Sequence, residues 1–278
     1  MNCFMFPGQP MALADIPADD PVFQEIALCC QAVSGFNPGA AEQSARELTD
    51  SIRLQLFGTT MSLYRYELLQ RQHGVPEIMA EHSMGIYPAL AACGAADSTT
   101  ALELTWRVGV CLASMGAQRD YAMGSVVGLV EAPLASIAAN NDVRIANYNT
   151  SRHFLLAGEL DKIRAVTLEA EAAGAFSTGI FPCDAPLHTP LVDEIAAGLQ
   201  AIVADYTFRE PRISLMDHLE QRRLKAADIP RFLVEELCRP VFWEKSYRAL
   251  LREGVTHFFE AGAGQALTKF NRWIAGEL

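Results

Sequence analysis

Residues 79–87, Met-Ala-Glu-His-Ser-Met-Gly-Ile-Tyr, stand between an apolar segment ending in Ile78-Met79-Ala80 and a helix-forming run, Tyr87-Pro88-Ala89-Leu90-Ala91-Ala92. That order reads as strand, tight turn and helix. A serine on such a turn can be lifted above the end of a sheet, which is the mechanical reason for the G-x-S-x-G nucleophile elbow. Here the downstream glycine is present as Gly85, but Glu81 stands where the upstream one belongs. By itself the stretch leaves Ser83 open between a nucleophile and an ordinary turn hydroxyl, because a half-matched short motif has many chance occurrences.

The 278 residues suffice for one large domain, or a domain with an insertion, around a full core. No apolar run reaches the roughly 18–20 residues of a membrane span, and the N-terminus lacks the basic region of a signal peptide. A soluble, cytoplasmic protein without a membrane partner is expected. The cysteines, at 3, 29, 30, 93, 111, 183 and 238, form no C-x-x-C pair and do not cluster with histidines. Free thiols in a reducing compartment are the simplest account, with neither a metal nor a cofactor expected. A formal charge of −11 without a basic, aromatic-interleaved stripe argues against nucleic acid. An anionic partner would need a local basic patch, for which Arg222-Arg223-Leu224-Lys225 and the segment from Lys269 to Arg272 are candidates; a solvated helix face is the plainer reading of each.

Along the chain, Cys3-Phe4-Met5-Phe6 reads as a short buried strand broken by Pro7-Gly8, with Gln9 just beyond. Helices are expected over 20–31, 40–52, 54–73 and 98–115. The last presents Leu102, Leu104, Val108, Cys111, Leu112 and Met115 as an apolar face, and Arg107 in that neighbourhood reads by itself as a snorkelling arginine. Between 120 and 182 the texture changes to strands over 122–130, 143–147, 154–157 and 176–182, with helices over 133–140 and 159–173. The order βαββαβ suits a small ferredoxin-like unit. Helices resume over 191–205, 229–238 and 244–253, and a strand over 257–260 runs into Ala261-Gly262-Ala263-Gly264, a strand-to-helix connection rather than a nucleotide loop.

Several separated stretches together resemble the malonyl-CoA:acyl carrier protein transacylase family of fatty-acid and polyketide synthesis. Phe6-Pro7-Gly8-Gln9-Pro10 resembles its F-P-G-Q-G opening, and Glu81-His82-Ser83-Met84-Gly85-Ile86 its G-H-S-x-G-E elbow. Arg107-Val108-Gly109 is similar to its helix arginine in R-G-x-x-M, Asn147-Tyr148-Asn149 to N-x-N, and Pro186-Leu187-His188-Thr189-Pro190-Leu191-Val192 to P-x-H-S-x-L-M. Pro240-Val241-Phe242-Trp243 and the segment from Glu260 to Thr268 are similar to P-V-x-W and E-V-G-P-G-x-x-L-T. The stretches occur in the family's order from residue 4 to about residue 272.

The resemblance implies an α/β fold: an α/β-hydrolase-like large domain over 1–119 and 183–278, with residues 120–182 as the inserted small ferredoxin-like subdomain. It implies malonyl transfer from malonyl-CoA to the phosphopantetheine thiol of an acyl carrier protein. Acyl transfer between thiols needs a nucleophile, a base and oxyanion donors. By resemblance Ser83 is the nucleophile, His188 the base and then acid, and the backbone N–H groups of Gln9 and Met84 the oxyanion hole. His188 would be oriented by a backbone carbonyl just before P-V-x-W, at Arg239. Arg107 would clamp the malonyl carboxylate by paired hydrogen bonds, and His82 would point at the acyl end.

Three departures bear on substrate choice. Glu81 must find room or turn outward, Ile86 removes a polar group near the site, and the family's T-Q-P-A-L segment survives only as Ile52-Arg53-Leu54-Gln55-Leu56, with Arg53 at about the glutamine's place. They keep two alternatives in play: an acyl-thioester hydrolase on the same scaffold, and a catalytically weak scaffold subunit.

Overall fold

The computed structural model describes residues 1–40, 48–117 and 119–277; part of the helix expected over 40–52 lies outside them. In chain order the elements are β1 (Asn2–Phe6), α1 (Pro21–Ser34), α2 (Asp50–His73), β2 (Ile78–Glu81), α3 (Ile86–Ala92), α4 (Ser98–Gly116), β3 (Tyr121–Val127), α5 (Glu131–Asn140) and β4 (Arg144–Thr150). They continue with β5 (His153–Glu159), α6 (Leu160–Ala172), β6 (Ser177–Cys183), α7 (Ala196–Ala204), β7 (Ser214–Met216), α8 (Ile229–Cys238), α9 (Trp243–Arg252), β8 (His257–Glu260) and α10 (Ala266–Ala275). Ser83–Gly85 and Pro190–Ile195 form short 3₁₀ turns.

Four strands make a parallel sheet in the order β7-β2-β1-β8. Its inner strand β1 has Cys3, Phe4, Met5 and Phe6 fully buried, the unbroken apolar run that a sheet covered on both faces demands. The second sheet, β4-β5-β3-β6, is antiparallel throughout. Helices α5 and α6 close its core around Ala122, Val126, Leu134, Leu156, Ile163 and Val166. This is the βαββαβ unit expected from the sequence, set into an α/β large subdomain.

Three elements differ from the sequence reading, the first being α2, which runs unbroken across the boundary expected between 52 and 54. Strand β7 has only three residues, too few to show a period of two, and is fixed by pairing Ile78 with Ser214 and Ala80 with Met216. The helix expected over 191–205 is a 3₁₀ turn followed by α7, because Pro190 opens the segment and Thr189 caps it by accepting from the Leu191 N–H.

The elbow rests directly on the end of β1. A Cβ at Gly85 would collide with the Phe6 carbonyl, so the downstream glycine is required by close approach of two backbones. The upstream position has another solution. Glu81 is the last residue of β2, opposite Phe6, and is fully buried. Its Oε1 accepts from the His218 backbone N–H at 3.1 Å, and its two oxygens lie 2.7 and 2.9 Å from His218 Nδ1. Burial pushes the Glu81 carboxyl well above its usual range and the His218 imidazole down to about 3. The carboxyl group that replaces glycine therefore turns sideways and ties β2 to the chain leaving β7.

Removing one partner of such a buried pair leaves the other unsatisfied. His218→Leu is expected to lower the stability by about 3 kcal/mol, read from the urea unfolding midpoint, and Glu81→Gly in the same chain to recover most of the loss. A deficit below about 1 kcal/mol would show that Glu81 is satisfied without His218.

Candidate active site

Ser83 has φ 56°, the left-handed region that a side chain enters at a cost of about 1–3 kcal/mol. The His82 N–H donates to the Phe6 carbonyl at 2.9 Å, which anchors the turn to β1. Lifted this way, Ser83 Oγ lies 2.7 Å from His188 Nε2. His188 is itself at φ 59° and buried. Its Nδ1 is 2.7 Å from the Glu236 carbonyl, and its backbone N–H donates to the Leu237 carbonyl at 2.8 Å. A carbonyl only accepts, so Nδ1 carries the proton and Nε2 offers its lone pair to the serine hydroxyl. Burial above all, with His218 adding to it, pushes the His188 pKa down to about 3. The ring is a neutral acceptor throughout the neutral pH range.

The orienting carbonyl is thus that of Glu236, three residues before the expected Arg239, whose own carbonyl acts on the ring more weakly. The reason lies in α8. The last four carbonyls of a helix have no partner within it, and those of Glu236 and Leu237 are both taken by His188.

Gly8 packs against Ser83 Cβ, which brings the loop of Gln9 alongside the nucleophile. Met84 stands at the opening of the 3₁₀ turn, where an N–H has no carbonyl behind it in the turn to donate to. Its side chain reaches Gly58 of α2, beside Pro10. Ser51 donates to Gln9 Oε1 and Gln55 to Ser51, each at 3.4 Å. Ser51 and Gln55, one turn apart on α2, thus extend the polar line from Gln9; sequence reading passed over Ser51 because a lone serine carries no signal.

Arg107 is not brought to the dyad. Its guanidinium lies 2.6 Å from Asp205 Oδ2 and 3.1 Å from the Tyr206 hydroxyl, with the Tyr206 ring 5.5 Å away. Asp205 follows α7, whereas His188 precedes the turn before α7, and the helix between them is about 13 Å long. Helix phase is the cause. Thr105 and Gly109 face α2, at Thr59 and at Ile52 and Gln55, and residue 107 falls about 200° from 105. Arg53 is likewise turned to Asp50, at 3.6 Å.

His82 is also placed differently from the expectation. Its Nε2 lies 2.9 Å from Asn149 Oδ1 on β4, and burial lowers its pKa to about 4. The neutral ring joins the elbow to the small subdomain. Beside it Val241 pairs with β4: the Tyr148 N–H donates to the Val241 carbonyl at 2.8 Å and the Val241 N–H to the Ala146 carbonyl at 2.9 Å. The N-x-N and P-V-x-W stretches are one joint. Ile86 is fully buried in the core below.

A cavity of about 230 Å³ opens elsewhere, along the outer side of α8, lined in part by Arg222, Arg223, Lys225 and Arg239. Arg222 pairs with Glu220 at 2.8 Å and Arg223 with Glu253. The basic run near 222 is therefore largely neutralised by acids of its own chain.

The chain matches the acyl transferase domain family over residues 14–262. It is 30% identical over 287 aligned residues to the malonyl CoA-acyl carrier protein transacylase of Escherichia coli K12, covering 99% of this chain and 93% of that protein. An acyl-carrier-protein S-malonyltransferase structure from Burkholderia pseudomallei superposes with a TM-score of 0.87 at 27% identity, covering 100% of this chain and 94% of that one. A malonyl-transacylase in complex with its type II polyketide acyl carrier protein superposes with a TM-score of 0.86 at 25% identity, covering 99% and 93%. Among the described residues no helix is long and apolar enough to cross a membrane. With an elbow serine hydrogen-bonded to a carbonyl-oriented histidine inside a match of this extent, the chain belongs to the acyl transferase domain family.

Proposed function

We propose that the protein transfers a malonyl group from malonyl-CoA to the phosphopantetheine thiol of an acyl carrier protein through an ester on Ser83. The observation that carries this reading is the 2.7 Å contact of Ser83 Oγ with a neutral His188 whose other nitrogen is locked as a donor. Oγ attacks the thioester carbonyl while Nε2 takes its proton. The oxyanion is held by the N–H groups of Gln9 and Met84, each such donor being worth about 10²- to 10³-fold in rate. Collapse expels the CoA thiol with the proton from His188. The carrier thiol then repeats the sequence in reverse, giving its proton to His188 as it attacks the ester, and Ser83 recovers its hydrogen.

With Arg107 committed to Asp205, the malonyl carboxylate in this reading meets neutral hydrogen-bonding groups along the Gln9, Ser51 and Gln55 line. We assign residues 1–119 and 183–278 to the large domain and 120–182 to the small one. A cytoplasmic location is part of this reading, supported by the free thiols, which suit a reducing compartment.

Mixing with malonyl-CoA and weighing the intact protein tests the assignment. A malonyl adduct is expected on the wild type, absent in Ser83→Ala, with transfer slowed at least about 10³-fold in His188→Ala. Added carrier protein should take the group up faster than water does; release to water alone would reject transfer. Arg107→Ala should acylate within about threefold of wild type, because the arginine is away from the dyad. A loss of about 10²-fold or more, the scale of a buried charged contact, would instead restore Arg107 as the clamp.

A further inference from the structure

The side chain of Glu236 is left over by this chemistry. Its carbonyl orients His188, yet its carboxyl is fully buried and neither oxygen has a hydrogen-bond partner among the described residues. One of them, Oε2, lies 3.7 Å from His188 Nδ1. A bare buried carboxyl is costly to keep, and a leucine or glutamine would fill the same turn of α8. What a carboxylate offers at that distance is attraction for a cation, and the one cation that the reaction creates is the His188 imidazolium.

We propose that Glu236 is a positioning residue for His188: its carboxylate is the counter-charge that the imidazolium meets each time Ser83 attacks. In that step Oγ bonds to the electrophilic centre and its proton moves to Nε2, leaving the positive charge on the ring. Nδ1–H stays on the Glu236 carbonyl, and Oε2 faces the ring without exchanging a proton. When the leaving group takes the proton from Nε2, the ring is neutral again.

Only the ionised carboxyl can serve. The groups around it are His188, Glu81 at the end of β2 and Tyr87 on α3, with Cys238 on its own helix; His218 beyond β7 lies against the His188 ring. Arg239 pairs with Glu220 and Glu235, and among the described residues no lysine or arginine is paired with the Glu236 carboxyl. Burial, with Glu81 adding to it, holds the Glu236 carboxyl well above the usual carboxylate range. Raised in this way, it is protonated at acid pH and becomes a carboxylate as pH rises through its shifted value. The rate at Ser83 should climb through the same window.

The proposal rests on Ser83 and His188 acting as assigned but not on the acyl donor, so the test uses a fluorophosphonate, whose fluoride leaves as Oγ bonds to phosphorus. Labelling rates from about pH 5 to 9 are compared with the ordinary carboxylate pKa of about 4.3 for the wild type, Glu236→Gln and Tyr87→Phe. Every variant keeps a carbonyl at 236. Wild type should show a rise with a midpoint well above that ordinary value. Glu236→Gln should lose the rise and label about 10- to 100-fold more slowly at the plateau, the effect of removing one close opposite charge. Tyr87→Phe should keep the plateau and move the midpoint. A wild-type profile flat across the range overturns the proposal without any variant, as does Glu236→Gln with the wild-type rise and a plateau within about twofold. Normal labelling together with no malonyl adduct would reject the malonyl reading and leave the Glu236 assignment standing.

Discussion

Two residues in left-handed backbone, Ser83 and His188, must meet across 105 positions of chain, and the architecture is arranged around that contact. Neither conformation is favoured locally, so each is imposed from outside. At the serine the imposing body is the parallel sheet: β1 holds the His82 N–H, and Gly85 lets the turn sit on the Phe6 carbonyl. At the histidine it is the frayed end of α8, whose two spare carbonyls take both the backbone and the ring. The two supports touch through a buried layer containing Glu81, His218 and Glu236, so a shift of either element moves the dyad.

Much of this was legible in the sequence, and the reasons for the failures are specific. Strand β1 showed in its own apolar run, whereas Ser83 and His188 were picked out only by the resemblance of separated stretches taken in order. The small antiparallel unit was visible as a change of period. The partner of Arg107 was not legible, because a spacing pattern tolerates an error of one residue whereas a helix turns by 100° per residue; Thr105 and Gly109 face α2, and Arg107 is turned to Asp205. The orienting carbonyl of Glu236 had no side-chain signature to find. The Glu81 and His218 pair spans 137 positions, and nothing near either residue points to the other. Sequence patterns report local geometry; side-chain contacts between distant segments require the fold.

The electrostatic design of the site is one of exclusion. The chain carries a formal charge of −11, yet the two histidines flanking Ser83 are neutral, and the arginines nearest in sequence pattern are paired off with Asp205 and Asp50. Positive charge is kept out of the resting dyad and created only when a proton moves to His188. Electrostatic attractions are strongest in such dry surroundings, so small displacements of the buried acids weigh heavily on the transition state and little on the ground state.

The joint between Val241, β4 and the His82 ring also has a mechanical meaning. The small sheet is stitched to the large subdomain along its β4 edge, by two backbone hydrogen bonds and the Asn149 contact to the residue preceding the nucleophile. Strand β6 forms the opposite edge, three strand spacings or about 14 Å away. The β6 margin is held as well, since it runs through Asp184, whose carboxyl accepts from the Thr49 hydroxyl, into the loop that carries His188. A sheet held at both margins behaves as a strut: it ties the residue before Ser83 at one side to the chain entering His188 at the other, so the spacing of the two is carried by one packed unit as well as by their own hydrogen bond.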